Sequence, residues 1–89
     1  MHRIELTRRA QRNIDKLRCK DLDRVVAAIR NLREEPRPVG CKKLRRTIYR
    51  LRVGDWRVIY AVFDKDELVI VGKVERRSKD TYDKLDELF

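Results

Sequence analysis

The segment YRLRVGDWRVIY, residues 49–60, constrains the fold of this chain more than any other feature. Two runs that alternate between apolar and polar residues flank the dipeptide Gly54-Asp55, which is typical of two β-strands joined by a two-residue turn. A loop of two residues fixes which residues face each other across the hairpin. The predicted pairs are Val53 with Trp56, Arg52 with Arg57, Leu51 with Val58, and Arg50 with Ile59.

Alternation along the two strands divides their side chains between two faces. One face is apolar and aromatic, so we expect it to pack in the core; it carries Tyr49, Leu51, Val53, Trp56, Val58 and Tyr60. The other face carries Arg50, Arg52 and Arg57. Like charges directly opposite each other destabilise a sheet, so three guanidinium groups on one small patch indicate a site for an anion. A phosphodiester is the first candidate.

The distribution of charge also favours a polyanionic partner. The chain has a formal net charge of +9, and 44% of its residues are charged. Residues 37–57 alone contain eight basic side chains and one acidic side chain. Clustering of this kind is typical of nucleic-acid-binding proteins. A solvated face can carry the same run of charges, so charge by itself leaves both interpretations open.

Length and composition exclude several other classes of protein. The 89 residues predict a single domain over residues 1–89. No apolar run is long enough for a membrane span and no signal-peptide pattern opens the chain, so we expect a cytoplasmic protein with no membrane partner. The two cysteines, Cys19 and Cys41, and the single histidine, His2, cannot complete an ordinary four-ligand zinc site. We therefore expect free thiols, no metal and no cofactor.

The remaining pattern predicts an α+β fold of the order βααβββ(α), with a small antiparallel sheet packed against an N-terminal helical hairpin. Thr7 is a candidate N-cap for the first helix, and apolar residues at helical spacing mark the second helix. The other predicted elements are a strand over residues 2–6, the second helix over residues 21–34, a basic loop after Gly40, the hairpin, a third strand over residues 68–74 and a short helix or frayed tail over residues 80–88.

The register can be extended across the turn at residues 64–67. The predicted pairs are Phe63 with Leu68, Ala61 with Ile70, Ile59 with Gly72, and Arg57 with Val74. Gly72 would then lie on the face of the arginines, where its missing side chain leaves room for a ligand. Arg76 would join the three hairpin arginines around one concave site, with Tyr82 within reach. Ile59, Ala61 and Ile70 would leave an apolar patch, covered either by the C-terminal tail or by a partner peptide.

The chemistry available to such a site is narrow. The sequence contains no Ser-His-Asp arrangement, no glycine-rich phosphate loop and no pair of carboxylates near the basic patch. Arginine can clamp a phosphate and stabilise charge in a phosphoryl-transfer transition state, but it cannot serve as a base. Tyrosine could move a proton if nearby cations lowered its pKa. RNA supplies its own nucleophile, the 2′-hydroxyl, so a rigidly held RNA could be cut without a metal.

The segments YRLRVGDWRVIYAV and LVIVGKVERRSKDTY resemble the RelE/ParE superfamily of toxins from toxin–antitoxin modules. The resemblance covers essentially the whole chain, including the KKLR element at residues 42–45. Members of the RelE type are ribosome-dependent endoribonucleases that cut mRNA in the A site by 2′-hydroxyl attack. By motif, the resemblance implies catalytic roles for Arg50, Arg52, Arg57, Arg76 and Tyr82. It implies an RNA-binding surface formed by Lys42, Lys43, Arg45, Arg46 and Arg77.

The resemblance also implies partners: a cognate antitoxin, the ribosome with its mRNA, and operator DNA bound through the antitoxin. Three positions depart from the best-known pattern. RelE has lysines where Arg50 and Arg52 stand, and many members have glycine at Glu75, which puts a negative charge beside the proposed site. ParE-type members share the fold but generally lack the nuclease residues and poison DNA gyrase, so retention of all five positions favours the RelE type. A gyrase poison, a plain RNA-binding module and a degenerate toxin kept for antitoxin binding are the alternatives.

Overall fold

The structure is a computed structural model that describes residues 1–76. The predicted C-terminal helix over residues 80–88 lies outside the described residues. Two helices and five strands make up the described range. They are β1 (Arg3–Leu6), α1 (Arg8–Asp15), α2 (Cys19–Asn31), β2 (Lys42–Arg45), β3 (Ile48–Val53), β4 (Trp56–Phe63) and β5 (Leu68–Arg76). Neither helix in residues 1–76 is long and apolar enough to span a membrane.

The five strands form one mixed sheet in the order β1-β5-β4-β3-β2. The predicted α+β class is confirmed, with two corrections. The sheet is not purely antiparallel, because β1 runs parallel to β5. The KKLR segment, predicted as part of a loop, is strand β2 and pairs antiparallel with β3. Both corrected strands are short, charged strands at the edges of the sheet, as edge strands commonly are. The charge of KKLR hid it as a strand, whereas β1 was predicted as a strand and only its parallel pairing was not.

Thr7 is the N-cap of α1, as predicted, and it also connects that helix to the sheet. Its backbone is extended, and its hydroxyl oxygen accepts a hydrogen bond from the amide of Ala10 at 3.1 Å, which satisfies one of the free amides of the first turn. The same hydroxyl donates to the carbonyl of Gly72 in β5 at 2.8 Å. Ala10 and Ile14 are the buried residues of this helix. One side chain therefore sets both where α1 starts and where it lies on the sheet.

The second helix is confirmed, although it begins and ends earlier than predicted, at Cys19 and Asn31. It buries Val25 and Ile29, and Leu32 follows at its C-cap. The main hydrophobic cluster joins these side chains to the aromatic face of the hairpin, with Tyr49 and Tyr60 buried and stacked at 5.9 Å between ring centroids. The predicted core face is therefore the face on which the helices pack. Trp56 is only partly buried at the margin of this cluster.

The hairpin has the predicted register throughout. Arg52 lies opposite Arg57 and Leu51 lies opposite Val58, and the two other predicted pairs are also present. Gly54 has a φ of +61°, a left-handed conformation that a residue with a Cβ adopts only with strain. This requirement explains why a glycine stands at the first position of the turn.

The β4–β5 register follows the prediction only as far as Ala61 and Ile70, and it then shifts at a β-bulge. Ile59 lies opposite Lys73, so Gly72 is the extra residue, and the predicted pairs of Ile59 with Gly72 and of Arg57 with Val74 are wrong. The physical reason is that the first helix and its N-cap residue form hydrogen bonds with the backbone of β5 at this point. The carbonyl of Gly72 accepts from Thr7, and the amide of Val74 donates to the side-chain oxygen of Asn13 at 3.0 Å. Beyond the bulge, every β5 side chain lies on the face opposite to the predicted one.

Candidate functional site

The side of the sheet away from the helices gathers most of the basic side chains of the strands. We call it the basic face, and its charged residues are Arg3, Glu5, Lys42, Arg45, Arg50, Arg52, Arg57, Lys73 and Glu75. The three hairpin arginines lie together there, as predicted. Arg52 is exposed and Arg50 is half-buried, while Arg57, in the middle of the sheet, is only 7% exposed. Such burial strengthens the electrostatic attraction of this guanidinium for an anion that reaches it.

Strand β2 extends the basic face at its edge. Lys42 lies opposite Arg50 and Arg45 lies opposite Ile48, because the register shifts between Lys43 and Arg45. This irregularity places both Lys42 and Arg45 on the side of the arginines. Lys43 instead lies opposite Tyr49 and so belongs to the helix side, and Arg46 lies in the turn between β2 and β3. The structure thus brings two of the four basic residues predicted on this segment into the cluster.

The bulge in β5 adds an ion pair to the basic face. Lys73 lies opposite Ile59, and Glu75 lies opposite Arg57. The ammonium nitrogen of Lys73 lies 2.9 Å from Oε1 of Glu75. Sequence reasoning missed Lys73, and it placed Glu75 beside the site rather than within it. The available signal was Gly72 itself, because an isolated glycine inside a strand often marks a bulge.

Arg76 is not part of this cluster in the structure. The same shift in register places it opposite Trp56, on the helix side, at the last residue of β5. Its guanidinium carbon lies 5.1 Å from the centroid of the Trp56 ring, a cation–π contact. The predicted ring of four arginines is therefore a cluster of three, with the fourth at the end of the neighbouring strand. The two other predicted site residues, Arg77 and Tyr82, lie outside the described residues.

A small apolar cluster borders the arginines on the same face. Ile48, Ile59 and Ala61 are buried there, with Leu44 and Phe63 packed against them. Ile70, the third residue of the predicted patch, is half-buried opposite Ala61. A patch of this kind lowers the polarity next to the arginines, which strengthens their interaction with an anion. The tail that was expected to compete with a partner peptide for this patch lies outside the described residues.

A second polar cluster lies on the other side of the sheet and has a structural role. The guanidinium of Arg37 donates to both carboxylate oxygens of Asp64, at 2.7 and 3.3 Å, and to the hydroxyl of Tyr49 at 2.9 Å. The ring of His2 lies 3.2 Å from the same carboxylate. The hydrogen bonds from Arg37 and then His2 lower the pKa of Asp64. Tyr60, whose hydroxyl donates to the carbonyl of Pro36 at 2.8 Å, has a pKa raised chiefly by burial.

Comparison with known proteins places this chain and its fold in one family. The family model described as the ParE toxin of the type II toxin–antitoxin system, parDE, matches residues 4–81. No curated protein sequence matches the chain.

Solved structures of toxin–antitoxin complexes share the fold. A chain of the archaeal RelE–RelB complex from Pyrococcus horikoshii matches with a TM-score of 0.80 and 28% identity, over 88% of this chain and 97% of that chain. A chain of the RelBE2 complex from Mycobacterium tuberculosis matches with a TM-score of 0.74 and 29% identity, over 85% and 98% of the two chains. The intact RelBE complex from Escherichia coli matches with a TM-score of 0.75 and 21% identity, over 89% and 100%.

The match to the family model spans most of the chain, from β1 to a point beyond β5. The structural matches cover nearly the whole length of the toxin-fold chains that they match. The predicted resemblance is therefore confirmed: this chain belongs to the RelE/ParE superfamily and is the toxin of a type II toxin–antitoxin system.

Proposed function

We propose that this toxin is a ribosome-dependent mRNA endonuclease of the RelE type, which acts in the cytoplasm and cuts by attack of a 2′-hydroxyl on the adjacent phosphate. The observation that carries the proposal is the convergence of Arg50, Arg52 and Arg57 on one face of the sheet, with Arg57 almost fully buried. A buried guanidinium flanked by two others has the charge and the hydrogen-bond donors to stabilise a phosphorane-like transition state. A site that only attracted RNA would not need its central cation to be buried.

The position of each side chain suggests its role. Arg57 stabilises the scissile phosphate from the centre of the sheet. Arg50 and Arg52, one strand away, position the RNA and offset its charge. Arg76, as the resemblance implies, would approach the phosphate from the end of β5, which requires its guanidinium to leave the ring of Trp56. Tyr82 is the candidate for proton transfer to the departing oxygen.

A surface for the rest of the RNA continues from this centre. Lys42 and Arg45 extend the basic face along the edge strand β2, so their charges lie in line with the hairpin arginines. Lys43, Arg46 and Arg77 complete the set of RNA-binding residues that the resemblance implies. Lysine and arginine side chains in such an arrangement bind phosphates without regard to base sequence.

Dependence on the ribosome follows from how this site would work. Arginines stabilise a transition state only if the 2′-oxygen, the phosphorus and the departing oxygen are held in line. A free RNA strand samples that alignment rarely, whereas an mRNA codon in the A site is held in a bent, fixed path. The toxin would therefore supply the positive charge and the proton transfer, and the ribosome would hold the mRNA in the alignment that the reaction needs.

The solved relatives suggest how the activity is controlled. Their structures are complexes with RelB-type antitoxins, so we propose a cognate antitoxin for this chain as well. Such a partner would neutralise or cover the basic face, and the toxin–antitoxin complex would bind operator DNA through the antitoxin.

Poisoning of DNA gyrase is the second candidate, and one observation favours it: the family model that matches is described as the ParE toxin. A gyrase poison would act through a protein surface and would leave RNA intact. The hairpin arginines would then be part of a protein-binding surface rather than ligands of a phosphate.

Induced expression in a bacterial host separates the two candidates. We expect primer extension on a translated reporter message to show discrete cuts inside the coding sequence, and these cuts should vanish when the start codon is removed. Growth arrest with intact message and accumulated gyrase–DNA cleavage complexes would instead support the gyrase poison. RNA binding without cuts would indicate a binding module, and neither activity would indicate a toxin kept only for its antitoxin.

A further inference from the structure

We propose that Glu75 is the general base of the cleavage reaction, the group that removes the proton from the attacking 2′-hydroxyl. This assignment rests on the proposed nuclease function and adds a residue that the family resemblance does not supply. It comes from the bulge at Gly72, which turns the side chain of Glu75 onto the basic face.

The position of Glu75 fits a base that works with Arg57. The two residues are a directly opposed cross-strand pair on one face of the sheet, which places their Cα atoms about 4.5–5.5 Å apart. In RNA the attacking 2′-hydroxyl belongs to the nucleotide that carries the scissile phosphate. A phosphate bound to Arg57 would therefore bring the 2′-hydroxyl next to the neighbouring carboxylate. A general base has to come within about 2.6–3.2 Å of the oxygen that it deprotonates.

The two oxygens of the carboxylate have different surroundings. Oε1 lies 2.9 Å from the ammonium group of Lys73, which fixes the orientation of the side chain. Oε2 is buried and accepts no hydrogen bond from the residues that the structure describes. A buried acceptor without a donor is costly, and each such group in a native structure requires an explanation, of which a catalytic role is one. The side chain as a whole is 25% exposed, so it lies at the surface of the basic face although Oε2 itself is covered.

Within residues 1–76, Glu75 is the carboxylate of the basic face that lies beside Arg57, because the other one, Glu5, lies on β1 opposite Ile70, five residues along β5 from Glu75. The charged groups around Glu75 are Lys73 on its own strand, Arg57 on β4, and Arg50 and Arg52 on β3. Guanidinium groups do not deprotonate in proteins. Arginines stand at the two positions where the best-known RelE pattern has lysines, so this chain has no lysine there that could act as the base. Glu75 is the acceptor that remains.

The reaction step balances with these groups. The carboxylate of Glu75 takes the proton of the 2′-hydroxyl while the 2′-oxygen uses the freed electron pair to form a bond to phosphorus. The bond from phosphorus to the 5′-oxygen breaks, and its electron pair leaves with that oxygen, which receives a proton from water. The products are a 2′,3′-cyclic phosphate and a 5′-hydroxyl end. Glu75 then gives its proton to the hydroxide that remains, which restores both the carboxylate and the water.

The test is single-turnover cleavage of mRNA in the A site of programmed ribosomes, with the toxin in excess. Glu75→Gln keeps the size of the side chain but cannot accept the proton. We expect the rate of the chemical step to fall about 10²–10⁴-fold, the range for loss of a general base, with little loss of ribosome binding. Glu34→Gln, on the exposed turn after α2, should behave as the wild type.

A second variant separates loss of the base from loss of the fold. Glu75→Ala removes the carboxylate, and added formate should restore part of its rate, whereas formate should not restore Arg57→Ala. Wild-type cutting with an equally fast or faster Glu75→Gln would overturn the assignment, as would an alanine variant that formate does not rescue. If the wild type itself does not cut, the proposed function fails and this assignment with it.

Discussion

At the scale of single residues, the site is built from like charges placed side by side. Arg52 and Arg57 face each other across the hairpin, although a cross-strand pair of like charges destabilises a sheet. Glu75 opposite Arg57 offsets part of this repulsion from the other side. A pair of like charges kept at a cost to folding is expected where the charges serve a ligand.

Replacing Arg52 tests this trade between stability and activity. Arg52→Thr keeps a high β propensity and removes the repulsion, so the free energy of unfolding should rise by roughly 0.2–1 kcal/mol. The gain should be larger at low salt than at high salt, because Arg52 is exposed and salt screens exposed charges. Cleavage should fall at the same time. Thermal melting at two salt concentrations and the ribosome assay measure both effects, and a variant that is less stable yet fully active would make Arg52 a structural residue.

At the scale of elements, contacts between α1 and β5 decide which side chains reach the basic face. Thr7 and Asn13 hold the backbone of β5 at Gly72 and Val74, and the bulge lies between these two anchors. Because a shift of one residue exchanges the two faces of a strand, these hydrogen bonds determine that Glu75 lies on the face of Arg57.

Removal of the Thr7 hydroxyl should therefore weaken both the helix and the bulge. Thr7→Val keeps the shape of the side chain but loses the bond from Ala10 and the bond to Gly72. We expect a loss of about 0.5–2 kcal/mol in the free energy of unfolding, the range measured for N-caps. Urea unfolding measures the change, and Thr7→Ser, which retains the hydroxyl, is the matched control. Equal stability of the valine variant and the wild type would contradict the role of Thr7.

The polar cluster around Asp64 predicts a dependence of stability on pH. Hydrogen bonds from Arg37 and then His2 lower the pKa of Asp64 in the folded state. A carboxyl group with a lowered folded pKa stabilises the protein above its unfolded pKa, and this contribution is lost as the pH falls through the folded pKa. Asp64→Asn should therefore melt at a lower temperature than the wild type at pH 7, and the gap should close as the pH is lowered below about 4. A gap that does not change with pH would contradict this account.

At the scale of the whole molecule, the features set by local sequence were predicted and those set by distant contacts were not. The turn at Gly54 and the cap at Thr7 each lie within a few residues of what they control, so the hairpin register and the start of α1 follow from the sequence. The parallel pairing of β1 with β5 and the bulge at Gly72 depend on partners more than 60 residues away along the chain. For this reason the three hairpin arginines were placed correctly, whereas Arg76 was assigned to the wrong face.

The central claim is that the basic face cuts mRNA only when the ribosome presents it. The most direct test combines purified toxin with ribosomes that hold an mRNA with a vacant A site, and in parallel with the same RNA free in solution. Arg57→Ala removes the buried central cation, and Arg30→Ala, on the exposed end of α2, is the matched control.

We predict cuts in the ribosome-bound message with 2′,3′-cyclic phosphate ends and little or no cutting of free RNA. A chelator at a level that spares the ribosome should have no effect on the toxin. Arg57→Ala should lose at least about 100-fold in rate while it remains folded, and Arg30→Ala should retain the wild-type rate. Rapid, metal-dependent cutting of free RNA, or full activity of a folded Arg57→Ala variant, would contradict the account.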